Sequence, residues 1–256
     1  MSIIKHTIPI LEYDTNPYAV IDPTHEKLDL DLPKKCVFAF LGDYIDQFAI
    51  HHHAEKVAEF ISATKKYPIY VLNDEGEPIV LCQAPVGAAA ATQILDWLIG
   101  YGVREIISAG SCGCLESFEE STFLVPYKAL RDEGTSYHYV QPSRFIQTNE
   151  VAKKAIEETI VEHGMKYQEV MTWSTDGFFR ETKDKVAYRR SEGCSVVEME
   201  CSALAACASF RKVIWGMILY TADSLVDVEK YDERNWGGNA YEYALFLCLE
   251  AVKKII

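Results

Sequence analysis

The sequence predicts an α/β protein: one three-layer α/β/α domain built on a central mixed, mostly parallel sheet. Three observations carry this. Short β-rich runs alternate with helix-like patterns along most of the 256 residues, the signature of a layered α/β chain. Several runs are continuously apolar, as strands covered on both faces are. No repeat, linker or break in composition divides the chain, so residues 1–256 are expected to form a single domain, with 1–35 a segment wrapping the surface.

Taken in order, residues 1–35 are rich in turn formers, among them Asp14, Asn16, Pro17, Asp22 and Pro23. Apolar runs then predict strands over 36–41, 68–72, 79–84, 105–109, 123–126, 167–172, 195–197 and 213–221. Helix-like periodicity predicts helices over 45–65, 88–101, 149–162, 182–190, 202–211 and 241–254. In the last, Tyr241, Ala244, Leu245, Cys248 and Val252 share one stripe. In open α/β sheets ligands bind beyond the carboxyl ends of strands, so residues that follow strands are the candidates for chemistry.

Composition excludes several functions. A net charge of -13 opposes a nucleic-acid backbone as partner. No apolar run approaches the roughly 20 residues that span a bilayer. The N-terminus lacks a basic region followed by an apolar core, so no secretory signal and a cytoplasmic location are expected. The eight cysteines contain no C-x-x-C pair. They are expected to be reduced, with no structural metal. His51-His52-His53 is expected on a solvated helix surface, since adjacent residues do not share a helix face.

Four segments that follow strands stand out. Leu41-Gly42-Asp43 ends the first strand, and Gly110-Ser111-Cys112-Gly113 ends the fourth. A glycine turn is usually only a turn, but its successive N–H groups can cradle an anion. Glu198-Met199-Glu200 opens a helix of small residues. Acidic side chains there stabilise a helix N-terminus; a carboxylate could instead accept both hydroxyls of a ribose diol, with methionine against the sugar. Asp223, after an apolar strand, is either a helix N-cap or a proton donor whose pKa burial would raise. Two further segments are expected as site walls: Trp173 to Thr182, whose aromatics are core or a stacking surface for a flat base, and Arg131 to Tyr139.

Together these segments resemble the nucleoside phosphorylase family, which includes purine nucleoside and uridine phosphorylases. The similarity runs from about Cys36 to the C-terminus. It implies cleavage of the N-glycosidic bond, most often phosphorolysis to free base and ribose-1-phosphate, purine slightly favoured over uridine. Asp223 would then protonate the departing base. Glu200, with Met199 and Glu198, would bind ribose, and His25 would reach the ribose 5′-hydroxyl of a neighbouring subunit. Phe178, with Phe179 and Arg180, would bind the base. Gly42, Gly110 and Ser111 would hold phosphate, helped by a lysine, Lys65, contributed across a dimer interface. The partners implied are a nucleoside and inorganic phosphate as co-substrate, with no other cofactor, in a homo-oligomer, dimer or hexamer. Where the family usually carries phosphate-binding arginines, this sequence has Asp46 and Ser108. Hydrolysis at the same site is therefore an alternative, and a non-catalytic nucleoside-binding protein is another.

Overall fold

Most strands form where the apolar runs lie, and their pairing decides where the candidate residues meet. The computed structural model describes residues 2–256. A small antiparallel pair, β1 (Ile3–Ile4) and β2 (Tyr13–Asp14), lies in the largely exposed N-terminal segment. The main elements follow as β3 (Lys35–Ala39), α1 (Tyr44–His51), β4 (Glu55–Ile61), β5 (Lys66–Asp74), β6 (Glu77–Gln83), α2 (Ala88–Gly100) and β7 (Glu105–Cys114). Next come β8 (Phe123–Asp132), α3 (Ser136–Tyr139), β9 (Phe145–Gln147), α4 (Glu150–Glu162), β10 (Tyr167–Thr175) and α5 (Lys183–Ser191). The chain ends with β11 (Val196–Glu198), α6 (Cys201–Arg211), β12 (Ile214–Ser224) and α7 (Tyr241–Lys253).

The large sheet runs β11-β10-β8-β12-β7-β3-β6-β5-β4, with β9 on β8. It is mixed. One parallel group is β12, β7, β3 and β6, and another is β8, β10 and β11. The groups meet antiparallel at β12 and β8. They meet again where β11 returns to the end of β7, pairing Val196 with Cys114 and Val197 with Gly113. The sheet therefore curls shut at one end. Helices α2 and α6 pack on one face, around Leu95, Leu98 and Leu204. Helices α1, α4 and α7 pack on the other, around Ile45, Ile156 and Leu245. This is the expected three-layer arrangement, in which the middle strands are covered on both sides.

One expected element is replaced. The helix over 45–65 stops at His51, and Glu55–Ile61 forms a strand paired antiparallel with Lys66–Asp74. Val57, Phe60 and Ile61 sit at helical spacing, which the sequence pattern cannot distinguish from an edge strand. His53 takes a left-handed backbone (φ 55°) and breaks the helix. The hairpin is then closed by Ser62, whose Oγ accepts from the Lys65 N–H at 2.9 Å. The histidine triplet accordingly ends a helix instead of lying along one.

Several strands run further than their apolar cores, and three of these extensions bear on the candidate residues. β7 continues to Cys114, so Gly110 to Gly113 is the end of a strand, not a turn. Its glycines serve close packing. A Cβ on Gly113 would stand 2.9 Å from Leu225 Cδ1 and 3.3 Å from Asp223 Oδ1. β12 continues to Ser224, which puts Asp223 inside a strand and removes the helix N-cap alternative. β8 continues to Asp132, carrying Arg131 into the core.

Candidate active site

The curl of the sheet gathers the ends of β3, β6, β7, β10, β11 and β12 around one cleft of about 790 Å³. Gly42, Lys65, Gly110, Ser111, Phe178, Glu198, Met199, Glu200 and Asp223 all line it. Most of the residues singled out in the sequence, scattered over 180 positions, thus come together at strand ends.

The two glutamates flanking Met199 have different tasks. Glu198 is buried and fully engaged. Its Oε1 accepts from Thr172 (3.1 Å) and Ser174 (2.5 Å), and its Oε2 from the backbone N–H groups of Glu200 (2.7 Å) and Cys201 (2.6 Å). It satisfies donors at the start of α6, the helix-stabilising role weighed for one of the pair. With its acceptors occupied, the ribose contact implied for Glu198 does not fit. Glu200 is held through one oxygen by the Gly87 N–H at 2.5 Å. Gly87 has φ 105° and starts α2, a backbone that favours glycine. Burial, then the charge of Glu198, pushes the Glu200 carboxyl up to about 8.

Asp223 stands on the opposite parallel group. Burial raises its pKa, while the Tyr231 hydroxyl, donating to Oδ2 at 3.1 Å, works the other way. Tyr231 belongs to the connection between β12 and α7, which also brings Trp236 over the cleft. Trp236 lies 6.4 Å from the Phe178 ring and 6.4 Å from the Tyr231 ring, between centroids. Phe178 itself is 40% exposed and lines the cleft.

Gly42, Lys65, Gly110 and Ser111, expected to hold an anion, all line the cleft. Ser111 is exposed there, beside Gly42 with its left-handed backbone (φ 54°). Lys65 reaches in from the β4–β5 turn, donates to Gln83 Oε1 at 3.0 Å and lies 5.1 Å over the Tyr67 ring. It is the single cation among the described lining residues, against the four carboxyl groups of Glu181, Glu198, Glu200 and Asp223. Asp46 lies half-buried in the first turn of α1 with its carboxyl raised by burial. Ser108 is buried, accepting from Trp215 Nε1 at 3.0 Å. Neither lines the cleft.

Two expected site residues, Phe179 and Arg180, are elsewhere. His25, expected to serve the sugar of a neighbouring subunit and not this chain's own cleft, lines a second cleft of about 670 Å³ with Tyr18, Trp97 and Tyr139. Phe179 is 92% exposed, and neither it nor Arg180 lines the cleft. Arg131 is a scaffold group: it donates to Ser136 Oγ (2.8 Å), Gln141 O (2.9 Å) and Ser143 Oγ (2.8 Å), pinning the corner after β8. Trp173 is buried core, donating to Asp132 at 3.0 Å. Gly87, Tyr231 and Trp236 were not foreseen from the sequence, and Glu181 was foreseen only as part of the wall from Trp173 to Thr182. Of the unforeseen three only Gly87, a glycine just before an alanine run, left a local trace. All eight cysteines are free and buried, and no cluster able to hold a metal occurs among the described residues. No helix there is long and apolar enough to cross a membrane.

This fold and cleft define an enzyme class. Residues 34–251 match the family model of the phosphorylase superfamily, and the chain belongs to that superfamily. Among relatives, a uridine phosphorylase of Haemophilus influenzae is 24% identical over 122 residues, 47% of this chain and 48% of that protein. The chain thus spans about half the length of that relative. A guanosine phosphorylase of Halorubrum lacusprofundi is 22% identical over 170 residues, 66% of this chain and 70% of that one. The fold is shared with an AMP nucleosidase from Bacteroides thetaiotaomicron, with a TM-score of 0.71 and 24% identity over 87% of this chain and 88% of that one.

Proposed function

We propose that the cleft cleaves the N-glycosidic bond of a purine nucleoside and passes the ribosyl group to inorganic phosphate. The observation that carries this reading is the convergence of Asp223, an acid biased toward its protonated form, and Glu200 on one cleft. The bond breaks through a sugar with oxocarbenium character. Asp223 delivers a proton to the base, so that a neutral purine departs, and Tyr231 fixes the orientation of the acid. Glu200 accepts from the ribose hydroxyls, with Met199 against the sugar. Phosphate at Ser111, Gly110 and Gly42, with Lys65 beside it, stabilises the cation from below and attacks it.

A second reading, hydrolysis, has an observation of its own. Lys65 alone offsets the acidic lining, and Asp46 and Ser108 occupy the positions at which the family resemblance calls for arginine. Without guanidinium forks bidentate phosphate recognition is weaker, and water would take the acceptor's place. Incubating the protein with a nucleoside panel, with and without phosphate, and identifying the sugar separates the readings. Phosphate-dependent release of ribose-1-phosphate supports transfer. Free ribose formed at an equal rate without phosphate assigns hydrolysis. An intact panel rejects both.

A further inference from the structure

We propose that the second cleft is a binding site in its own right, for an uncharged flat heterocycle of the nucleobase kind. It shares helix α2 with the first cleft but no lining residue: Ala90 lines the first, and Ala89, Thr92 and Gln93 line the second. Its volume of about 670 Å³ is that of a small-molecule site.

Thr92 points to a ligand. It lines this cleft, is 1% exposed, and its hydroxyl has no hydrogen-bond partner among the described residues. A buried threonine inside a helix can donate to the carbonyl four residues back, as Thr159 does to Ala155 O at 2.8 Å in α4. Thr92 in α2 makes no such bond. A buried hydroxyl without a partner costs stability, and a ligand that donates or accepts there relieves the cost.

The charges of the lining are already committed. Asp96 accepts from Tyr139 Oη at 3.1 Å, from Arg211 Nε at 2.6 Å and from Arg211 Nη2 at 2.9 Å, so the pair is neutral as a unit. Asp14 and Asp22 accept from the N–H groups of their own turns, Asn16 at 3.0 Å and Thr24 at 2.9 Å. The spare capacity lies elsewhere. Besides Thr92, the side chains of Gln93, Thr135 and His138 line the cleft and make no hydrogen bond among the described residues. Each can donate or accept.

The walls are aromatic. Phe60 and Trp97 meet edge to face with 5.8 Å between centroids, and Tyr139 and Phe210 do so at 5.7 Å. All four rings line the cleft, from β4, α2, α3 and α6. Such rings favour a further flat ring, stacked or edge-on. A flat acid would find its one cation, Arg211, already paired, and a flat amine would find Asp96 already filled. A bare sugar has no ring face to offer. A nucleobase is flat, uncharged and carries donors and acceptors in its plane, and it brings these whether free or as part of a nucleoside.

The test counts adenine sites on the full chain by equilibrium dialysis. A site is expected that Phe178→Ala, in the first cleft, leaves unchanged. Thr92→Val should weaken that site by about 2–10-fold, the range for losing one hydrogen bond between neutral groups. Gln93→Ala, a change at an exposed position, should weaken it as well. Thr92→Val should also keep or raise the melting temperature, because it removes an unpartnered hydroxyl. Hypoxanthine should displace adenine from this site, whereas benzoate and benzamidine, flat but charged, should not. Formycin A, a C-nucleoside whose sugar bond is carbon to carbon, separates the two sources of the ligand. Its binding at this site assigns nucleosides to the cleft, and its binding at the first cleft alone assigns free bases. Adenine binding that responds to Phe178→Ala but to neither Thr92→Val nor Gln93→Ala would overturn the proposal. So would equal displacement by the charged rings, or a lower melting temperature for Thr92→Val. A dimer in sedimentation velocity with no adenine site sensitive to Thr92→Val would assign the cleft to a second copy of the chain instead.

Discussion

The two ends of the cleft are built differently. At the end proposed for sugar and base, three buried carboxyl groups are held by named donors: Glu200 by Gly87, Asp223 by Tyr231, and Glu198 by two hydroxyls of β10 and two N–H groups at the start of α6. At the acceptor end there is an exposed serine, two glycines and one lysine already shared with Gln83. The difference teaches where the selectivity of this protein lies. On the proposed reading, preorganised groups at one end would fix and protonate the nucleoside, while the other end would leave the identity of the attacking group loosely specified. Oriented groups in a partly dry site act more strongly than mobile, solvated ones.

The largest effect should come from the base end. Asp223→Asn should lower turnover of a purine nucleoside by about 10²–10⁴-fold with KM nearly kept, since positioned acid catalysis is worth about that much. Steady-state kinetics on purified variants checks it. Gly113→Ala should imitate this in part, because its Cβ would stand 3.3 Å from Asp223 Oδ1.

The next contrast is between neighbours. Glu198→Gln should destabilise the fold by about 1.5–3 kcal/mol or more, because donors at the start of α6 would lose a charged acceptor. Glu200→Gln should leave thermal stability near that of the parent and weaken nucleoside binding by about 10–100-fold. Thermal melts beside calorimetric titrations distinguish the two. Equal melting temperatures for the variants would erase the division of labour between these glutamates.

That division also shows how far the sequence could be read. Glu198-Met199-Glu200 was visible as an unusual opening to a small-residue helix, and the central strands were visible as apolar runs such as Ile106-Ile107. Which glutamate is scaffold was not visible, because Thr172 and Ser174, which decide it, come from another strand. Strand β4 was hidden because Val57, Phe60 and Ile61 fit a helix equally well, and only pairing with β5 settles their state. Gly110 to Gly113 suggested a turn because the close neighbours that require glycine there arrive from β12 and β11. Tyr231 acquires meaning only from standing beside Asp223.

At the acceptor end the effects should be smaller. Lys65→Met should raise the KM for phosphate by less than about tenfold, since a single partly solvated charge is screened. A loss of several hundredfold would show that this end is as well ordered as the other.

The pH dependence should be mildest and have opposite signs at the two groups. A carboxyl pushed up in the folded state holds its proton where the unfolded chain has lost it. The folded state then binds more protons, so stability falls as pH rises from about 4.5 through about 8 for Glu200. Ribose hydroxyls favour the ionised form, so nucleoside affinity should rise over the same window and level off above it. Turnover should fall at the alkaline side as Asp223, its pKa raised by burial, loses the proton it must donate. Titrations in buffers of different ionisation enthalpy at pH 7 should detect proton release on binding.

The central claim, that Asp223 protonates a departing base, is tested most directly by changing the leaving group. The Asp223→Asn variant is assayed on a purine nucleoside and on a riboside of 4-nitrophenol, which departs without protonation. The account predicts a loss of about 10²–10⁴-fold on the first and little change on the second. Equal losses on both would contradict it and make Asp223 a positioning group.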